Sequence, residues 1–258
     1  MKINSHRRIL REHFGINARE DQIVIALAGN PNVGKSTVFN ALTGLKQHTG
    51  NWPGKTVDHA QGTFKFQGRN FLLIDLPGTY SLLAHSVEEE IARDFLCFGK
   101  PEVIIVVLDA TALERNLNLA LQVMEISSQV VVAVNLIDEA KKKNITIDFA
   151  GLEQTLGVPV VAMAARHKIG IQELKEAVYQ VATGQNRGPL AQIKYSREVE
   201  EAINQLVPLI EEIGLNDFLK PRWIALRLLD GDVKLIDNIS KHFEMHKTGA
   251  EQGGLVNL

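Results

Sequence analysis

Four groups of residues in this 258-residue chain have types and spacings suited to chemistry on a nucleotide. The first is Gly29-Asn30-Pro31-Asn32-Val33-Gly34-Lys35-Ser36, which leads into Thr37. A glycine loop between a strand and a helix presents successive backbone N–H groups and a helix N-terminus to anionic oxygen. In such a loop Lys35 reaches the β- and γ-phosphates and the Ser36 hydroxyl ligates Mg²⁺. The second is Asp75-Leu76-Pro77-Gly78, beginning forty positions after Lys35. Asp75 is placed to hold Mg²⁺ through water, and the Gly78 N–H to bond the γ-phosphate and report its loss. The third is Asn135-Leu136-Ile137-Asp138, sixty positions after Asp75. A carboxylate at Asp138 can accept from guanine N1–H and N2–H₂, each charge-assisted bond contributing about 1.5–3 kcal/mol. Adenine offers a different donor–acceptor edge there. The competing reading of this tetrapeptide is a strand-to-helix turn with Asx capping. The fourth is Ala164-Ala165-Arg166, where the Ala165 N–H can reach guanine O6 and Ala164 offers no hydroxyl.

Those residues need a frame. Continuous apolar runs at Ile23–Ala28, Phe71–Asp75, Val103–Asp109, Val130–Asn135 and Val158–Ala162 read as strands of a parallel sheet covered on both faces. Val57 to Phe66, with Gly68 in the following turn, reads as an edge strand in an antiparallel hairpin. Helical patterns fall at Thr37–Thr43, Val87–Phe98, Ala112–Ser127, Phe149–Leu156 and Ile171–Ala182, the second opened by the capping box Ser86-Val87-Glu88-Glu89. The fold class is therefore α/β: a mostly parallel sheet with helices on both faces, of the P-loop type, over residues 22–184. Thr183 to Pro189 reads as a linker. Ser196–Ile213, Arg222–Leu229 and Asp232–His246 read as a small all-helical domain over 189–246, and 247–258 as a disordered tail. Residues 1–21 form an N-terminal extension whose stretch 5–14 reads as a short basic helix stopped by Gly15 and Asn17, a solvated appendage. Between Gly44 and Val57 the chain is polar, glycine-rich and without period, which suits a mobile switch loop. Its Thr56 can close on Mg²⁺ when a γ-phosphate is present, with Gly54 and Lys55 beside the nucleotide. Trp52 in that loop reads as a partly buried anchor or as a base contact.

Composition narrows the classes. The chain is 45% hydrophobic and 22% charged with net charge -2, so no basic balance points to nucleic acid. Its single cysteine, Cys97, excludes an internal disulfide and fits a reducing compartment. No apolar run approaches the ~20 residues a membrane helix needs. His242 and His246, four apart on one helix face, lack a third metal ligand and read as a solvated pair.

The joint pattern resembles the translation-factor class of small GTPases, and specifically the cytosolic N-terminal part of the FeoB family of bacterial ferrous-iron transporters. The residues that carry this are 29–37, 50–57 (Gly-Asn-Trp-Pro-Gly-Lys-Thr-Val), 75–82, 109–117 and 135–138. The resemblance implies a slow GTPase that binds GTP and GDP and regulates Fe²⁺ transport from the cytoplasmic face of the cell membrane. Its partner would be a transmembrane domain of the same polypeptide, and it leaves room for small cytosolic regulators and a homo-oligomer. It implies Mg²⁺ held by Ser36, Thr56 and Asp75. It also implies a K⁺ held by the Asn32 side chain and the carbonyls of Gly50 and Trp52, which would neutralise transition-state charge as an arginine finger does. Asn32, Lys35, Thr56 and Gly78 would then carry catalysis. Three departures matter: Thr79 and Tyr80 stand where other GTPases have a water-orienting glutamine, Leu136 replaces a lysine, and Ala164 replaces a serine. The last two imply weak binding and fast release. The rival is a soluble K⁺-dependent GTPase of RNA modification or ribosome assembly, which needs a basic module that 184–258 does not supply.

Overall fold

The structure, a computed structural model, describes residues 10–44, 47–83, 86–185, 193–215, 219–232 and 235–241. Its strands are β1 (Gln22–Gly29), β2 (Gln47–Asn51), β3 (Asp58–Phe66), β4 (Arg69–Asp75), β5 (Val103–Asp109), β6 (Val130–Asn135) and β7 (Val160–Ala162). They form one sheet in the order β2-β3-β4-β1-β5-β6-β7. β4, β1, β5, β6 and β7 run parallel, while β3 pairs antiparallel with both β2 and β4. The fold class read from the sequence is the one observed.

Alternation along the buried strands explains the two layers. Side chains of a strand point to opposite faces in turn, so a strand covered on both sides must be apolar throughout. Val24, Ala26 and Ala28 of β1 join one core with Ile104, Val106 and Leu108 of β5. Ile25 and Leu27 join the other with Val103, Ile105 and Val107. The first core is closed by α2 (Val87–Phe98) and α3 (Leu113–Ile126). The second is closed by α1 (Lys35–Thr43) and α6 (Ile171–Ala182). α2 starts where its cap predicts: the Ser86 hydroxyl accepts from the Glu89 N–H at 3.1 Å. The short α4 (Ile137–Lys142) and α5 (Phe149–Leu156) precede β7.

Three expectations fail here. Residues 47–51 form β2, hydrogen-bonded to β3, so this part of the switch loop is strand and β3 is not the edge. Its Gln-His-Thr-Gly-Asn sequence shows no alternation; pairing with β3 supplies the order. The N-terminal stretch is also no solvated appendage from Leu10 onward: Leu10, Arg11, Phe14 and Ile16 are buried. Its helical turn ends in a Schellman motif, with Gly15 at φ 71, the Gly15 N–H on the Glu12 carbonyl and the Ile16 N–H on the Arg11 carbonyl, both at 2.9 Å. β7 also begins two residues later than the Val158 start read from the sequence.

The helical part comprises α7 (Arg197–Glu212), α8 (Pro221–Leu229) and a helical segment over 235–241. It packs on the α2/α3 face through Trp223, Ile224, Leu235 and Ile239. Arg93 of α2, 1% exposed, bridges Asp94 at 3.0 Å and Asp232 at 2.8 Å. Burial pushes the Asp94 carboxyl up, and Arg93 pulls it back. The Lys220 ammonium caps the C-terminal turn of α3 at the Met124 carbonyl, 3.0 Å away. His242, His246, residues 186–189 of the linker and the tail 247–258 lie outside the described residues.

Candidate functional site

β1 delivers the phosphate loop to the C-terminal edge of the parallel strands, where open α/β sheets bind ligands. The loop is set by its residue types. Asn32 has φ 66 and Gly34 has φ 83 as it enters α1, both left-handed. Asn and Gly are the residues that adopt this region at least cost. A side chain at Gly34 would also overlap the Asn135 amide, and a Cβ at Gly29 would lie 2.7 Å from the Val107 carbonyl oxygen. Asn32, Ser36 and Thr37 are exposed, ready for a ligand, while Val33 is core. Asn30 is buried and its side-chain oxygen has no partner among the described residues. Pro31 sits against Gly78, where a Cβ would be 3.3 Å from its backbone, so the two loops share one wall.

β4 brings Asp75 to the same edge. Its carboxylate pairs with the Lys35 ammonium at 2.7 Å, both largely shielded from water. Burial pushes the Asp75 carboxyl above its usual range, and Lys35 only partly offsets this. Beside the pair lies a cavity of about 450 Å³ lined by Lys35, Asp75, Gly50, Asp58 and His59 among others. Gly50 therefore faces the phosphate loop across this cavity. Thr56 does not line it: it is exposed in the turn between β2 and β3. The turn is closed by the Trp52 N–H on the Val57 carbonyl (2.9 Å) and the Lys55 N–H on the Trp52 carbonyl (3.0 Å). Lys55 also reaches Glu90 of α2 at 3.3 Å, and Gly54 is exposed. Trp52 is a buried anchor packed on Phe14, His59 and Phe95.

On the other side of the loop, Asn135 is a staple rather than a free reader. Its amide donates to the Val33 carbonyl and accepts from the Ala165 N–H, both at 3.0 Å, and it is 1% exposed. The Ala165 N–H read as a contact for guanine O6 is thus already engaged. Leu136 carries φ 63, an uncommon left-handed conformation for leucine, and α4 starts at the next residue. That turn presents Asp138 in the first turn of α4, where His167 Nε2 lies 3.3 Å from its carboxylate. Ala164 is buried and bridges to Ile169. His167 was not singled out in the sequence. Only the two-residue separation from Ala165 could have raised it, because its partner lies in another element.

The family model described as Ferrous iron transport protein B matches residues 23–178, and that for the FeoB cytosolic helical domain matches 195–252. The chain belongs to the FeoB family. The Fe(2+) transporter FeoB of Methanocaldococcus jannaschii is 44% identical over 218 residues, 84% of this chain and 32% of that protein. The chain thus spans about a third of that relative's length. The cytosolic domain of T. maritima FeoB in a GDP form superposes with a TM-score of 0.78 at 36% identity, covering 90% of this chain and 96% of that one. The same domain in a GMPPNP form gives 0.76 at 35% identity, covering 89% and 96%.

This FeoB chain offers hard oxygen donors for Mg²⁺ in Ser36 and Asp75, and a carboxyl raised by burial is one that a cation would draw back down. The donors named for K⁺ are not brought together in the same way. Asn32 is exposed on the loop and Gly50 lines the cavity, but the Trp52 carbonyl accepts from Lys55. Among the described residues no three of His, Cys, Asp and Glu cluster as a metal site, and no helix is long and apolar enough to cross a membrane.

Proposed function

We propose that this chain binds GTP and GDP in preference to adenine nucleotides and hydrolyses GTP slowly, as the regulatory GTPase of a ferrous-iron transporter. The observation that carries this is the assembly of the phosphate loop, Asp75 and Asp138 along one sheet edge, tied together by the Lys35–Asp75 pair and the Asn135 staple. Lys35 and the loop N–H groups neutralise the phosphates. Asp138 reads the guanine edge. Gly78, against Pro31, supplies the N–H for the γ-phosphate. Ser36 and Asp75, joined by Thr56 once its turn closes, would hold Mg²⁺, which would supply charge neutralisation on the phosphate oxygens. Asn32 and the carbonyls of Gly50 and Trp52 would hold K⁺, which would add the same kind of charge neutralisation where a glutamine or arginine is missing. For the K⁺ set to close, the turn at 52–57 must rearrange, because Lys55 occupies the Trp52 carbonyl. The partner is a transmembrane iron-permeation domain of the same polypeptide, which places the chain at the cytoplasmic face of the membrane.

Equilibrium binding of fluorescent GDP and ADP to the parent and to Asp138→Ala tests the reading. GDP binds the parent at least a hundredfold more tightly than ADP, and the variant loses most of that gap. Equal affinity for the two nucleotides in the parent refutes it.

A further inference from the structure

The segment that the sequence left without a role is 10–16, which precedes both matched family segments. It is anchored at one end. The buried Arg11 guanidinium donates to the Gly99 carbonyl at 3.2 Å and to the Lys100 carbonyl at 2.7 Å, where a cation meets the negative end of α2. It also donates to Glu102 at 2.7 Å, whose other oxygen accepts from the Val24 N–H of β1 at 2.7 Å. The Schellman turn at Gly15 fixes the course of the chain from that anchor.

The other end leans on the β2–β3 turn. Phe14 meets Phe95 edge-on at 5.4 Å and Trp52 edge-on at 6.4 Å, and Trp52 meets Phe95 at 5.5 Å. A Cβ on Gly15 would lie 3.4 Å from the Pro53 ring. Trp52 is 2% exposed, although Pro53, Gly54 and Thr56 around it are exposed. Its indole N–H has no partner among the described residues, so packing alone holds it. Its backbone closes the turn at Val57 and Lys55. These two bonds tie the backbone of Trp52 to the turn that carries Thr56.

We infer that Phe14, anchored through Arg11, is a positioning residue for the nucleotide cycle: it holds Trp52, and with it the Thr56 turn, in the conformation seen here. This rests on the guanine-nucleotide reading above. A ligand that needs the turn to close, one with a γ-phosphate, must overcome that packing; GDP need not. Removing Phe14 should selectively favour the γ-phosphate ligand.

The test uses the full chain with Trp223→Phe, so that Trp52 is the only tryptophan, and compares Phe14→Leu and Phe14→Ala. Losing an aromatic pair should raise GMPPNP affinity relative to GDP by about threefold to tenfold, more for alanine than for leucine. GDP affinity should stay within about twofold, and quenching of Trp52 emission by acrylamide should rise. The conservative leucine keeps the result decisive if the alanine variant fails to fold. An unchanged GMPPNP-to-GDP ratio in a folded variant overturns the inference, as does an equal loss of affinity for both, which marks a merely structural role. A parent that binds no GDP overturns both this inference and the reading beneath it, and its own GDP titration distinguishes that failure.

Discussion

Asn135→Ala separates a residue that builds the site from one that reads the ligand. Asn135 makes two buried bonds of 3.0 Å, one to each of two loops. Truncation leaves the Val33 carbonyl and the Ala165 N–H buried without that partner. Each unsatisfied group costs about 1–3 kcal/mol, so the variant should lose about 2–6 kcal/mol. With a urea slope near 3 kcal/mol/M, the unfolding midpoint should fall by about 0.7–2 M. Asn135→Asp is the sharper control. It keeps an acceptor for Ala165 but turns a carboxylate oxygen toward the Val33 carbonyl, so it should be at least as damaging. Asp138→Ala removes a partly exposed carboxylate whose partner among the described residues is the exposed His167, and should stay within about 0.5 kcal/mol of the parent. Urea unfolding followed by circular dichroism reads all three. If Asn135→Ala moves the midpoint by less than about 0.3 M while GDP binding is lost, Asn135 acts on the ligand and the staple argument is wrong.

Thr56→Ala should cut GTP hydrolysis at least tenfold while GDP affinity stays within about twofold; hydrolysis that survives within a factor of about two makes Thr56 a bystander. Turnover should be faster in K⁺ than in Na⁺ at equal ionic strength, chiefly through kcat, and Asn32→Ala should remove that difference with GDP still bound. In the helical part, two hydrogen bonds from Arg222 hold the Glu200 carboxyl down to about 2. A depressed carboxyl contributes stability that is present above its unfolded value and is lost as pH falls through the folded one. The Tm difference between the parent and Glu200→Gln should therefore shrink from pH 5 toward pH 2; a difference that holds constant shows that the pair contributes nothing.

What the sequence made legible was whatever local pattern determines. β5 and β6 end where their apolar runs end, and α2 starts at its capping serine. The left-handed Gly34 and Asn32 follow from residue type. What stayed hidden depends on partners far along the chain. β2 is polar and gains its order from β3. Arg11 reads as one more surface cation until Gly99 and Glu102 arrive from about ninety residues away. Leu10 and Phe14 are four apart, so they share a helix face, but the arginines around them made the segment look solvated. Asn135 belonged to a recognisable tetrapeptide, yet its stapling bonds run to Val33 and Ala165 in two other loops.

These internal bonds bear on affinity. Three groups expected to meet the nucleotide already have a protein partner: Lys35 has Asp75, Asp138 has His167, and the Ala165 N–H has Asn135. Binding therefore exchanges one charged or hydrogen-bonded contact for another, and only the difference shows as affinity. The exchange is unequal across the site. Asp138 is partly exposed and His167 is exposed; a solvated pair of that kind contributes about 0–1 kcal/mol, so guanine would displace it at little cost. Lys35 and Asp75 are largely shielded; phosphate taking Lys35 leaves a carboxylate that burial already disfavours. A divalent cation at Asp75 would remove that penalty. The phosphate half of the site should thus need its cation far more than the base half does, and magnesium dependence should be carried by the nucleotide's phosphates rather than by guanine recognition.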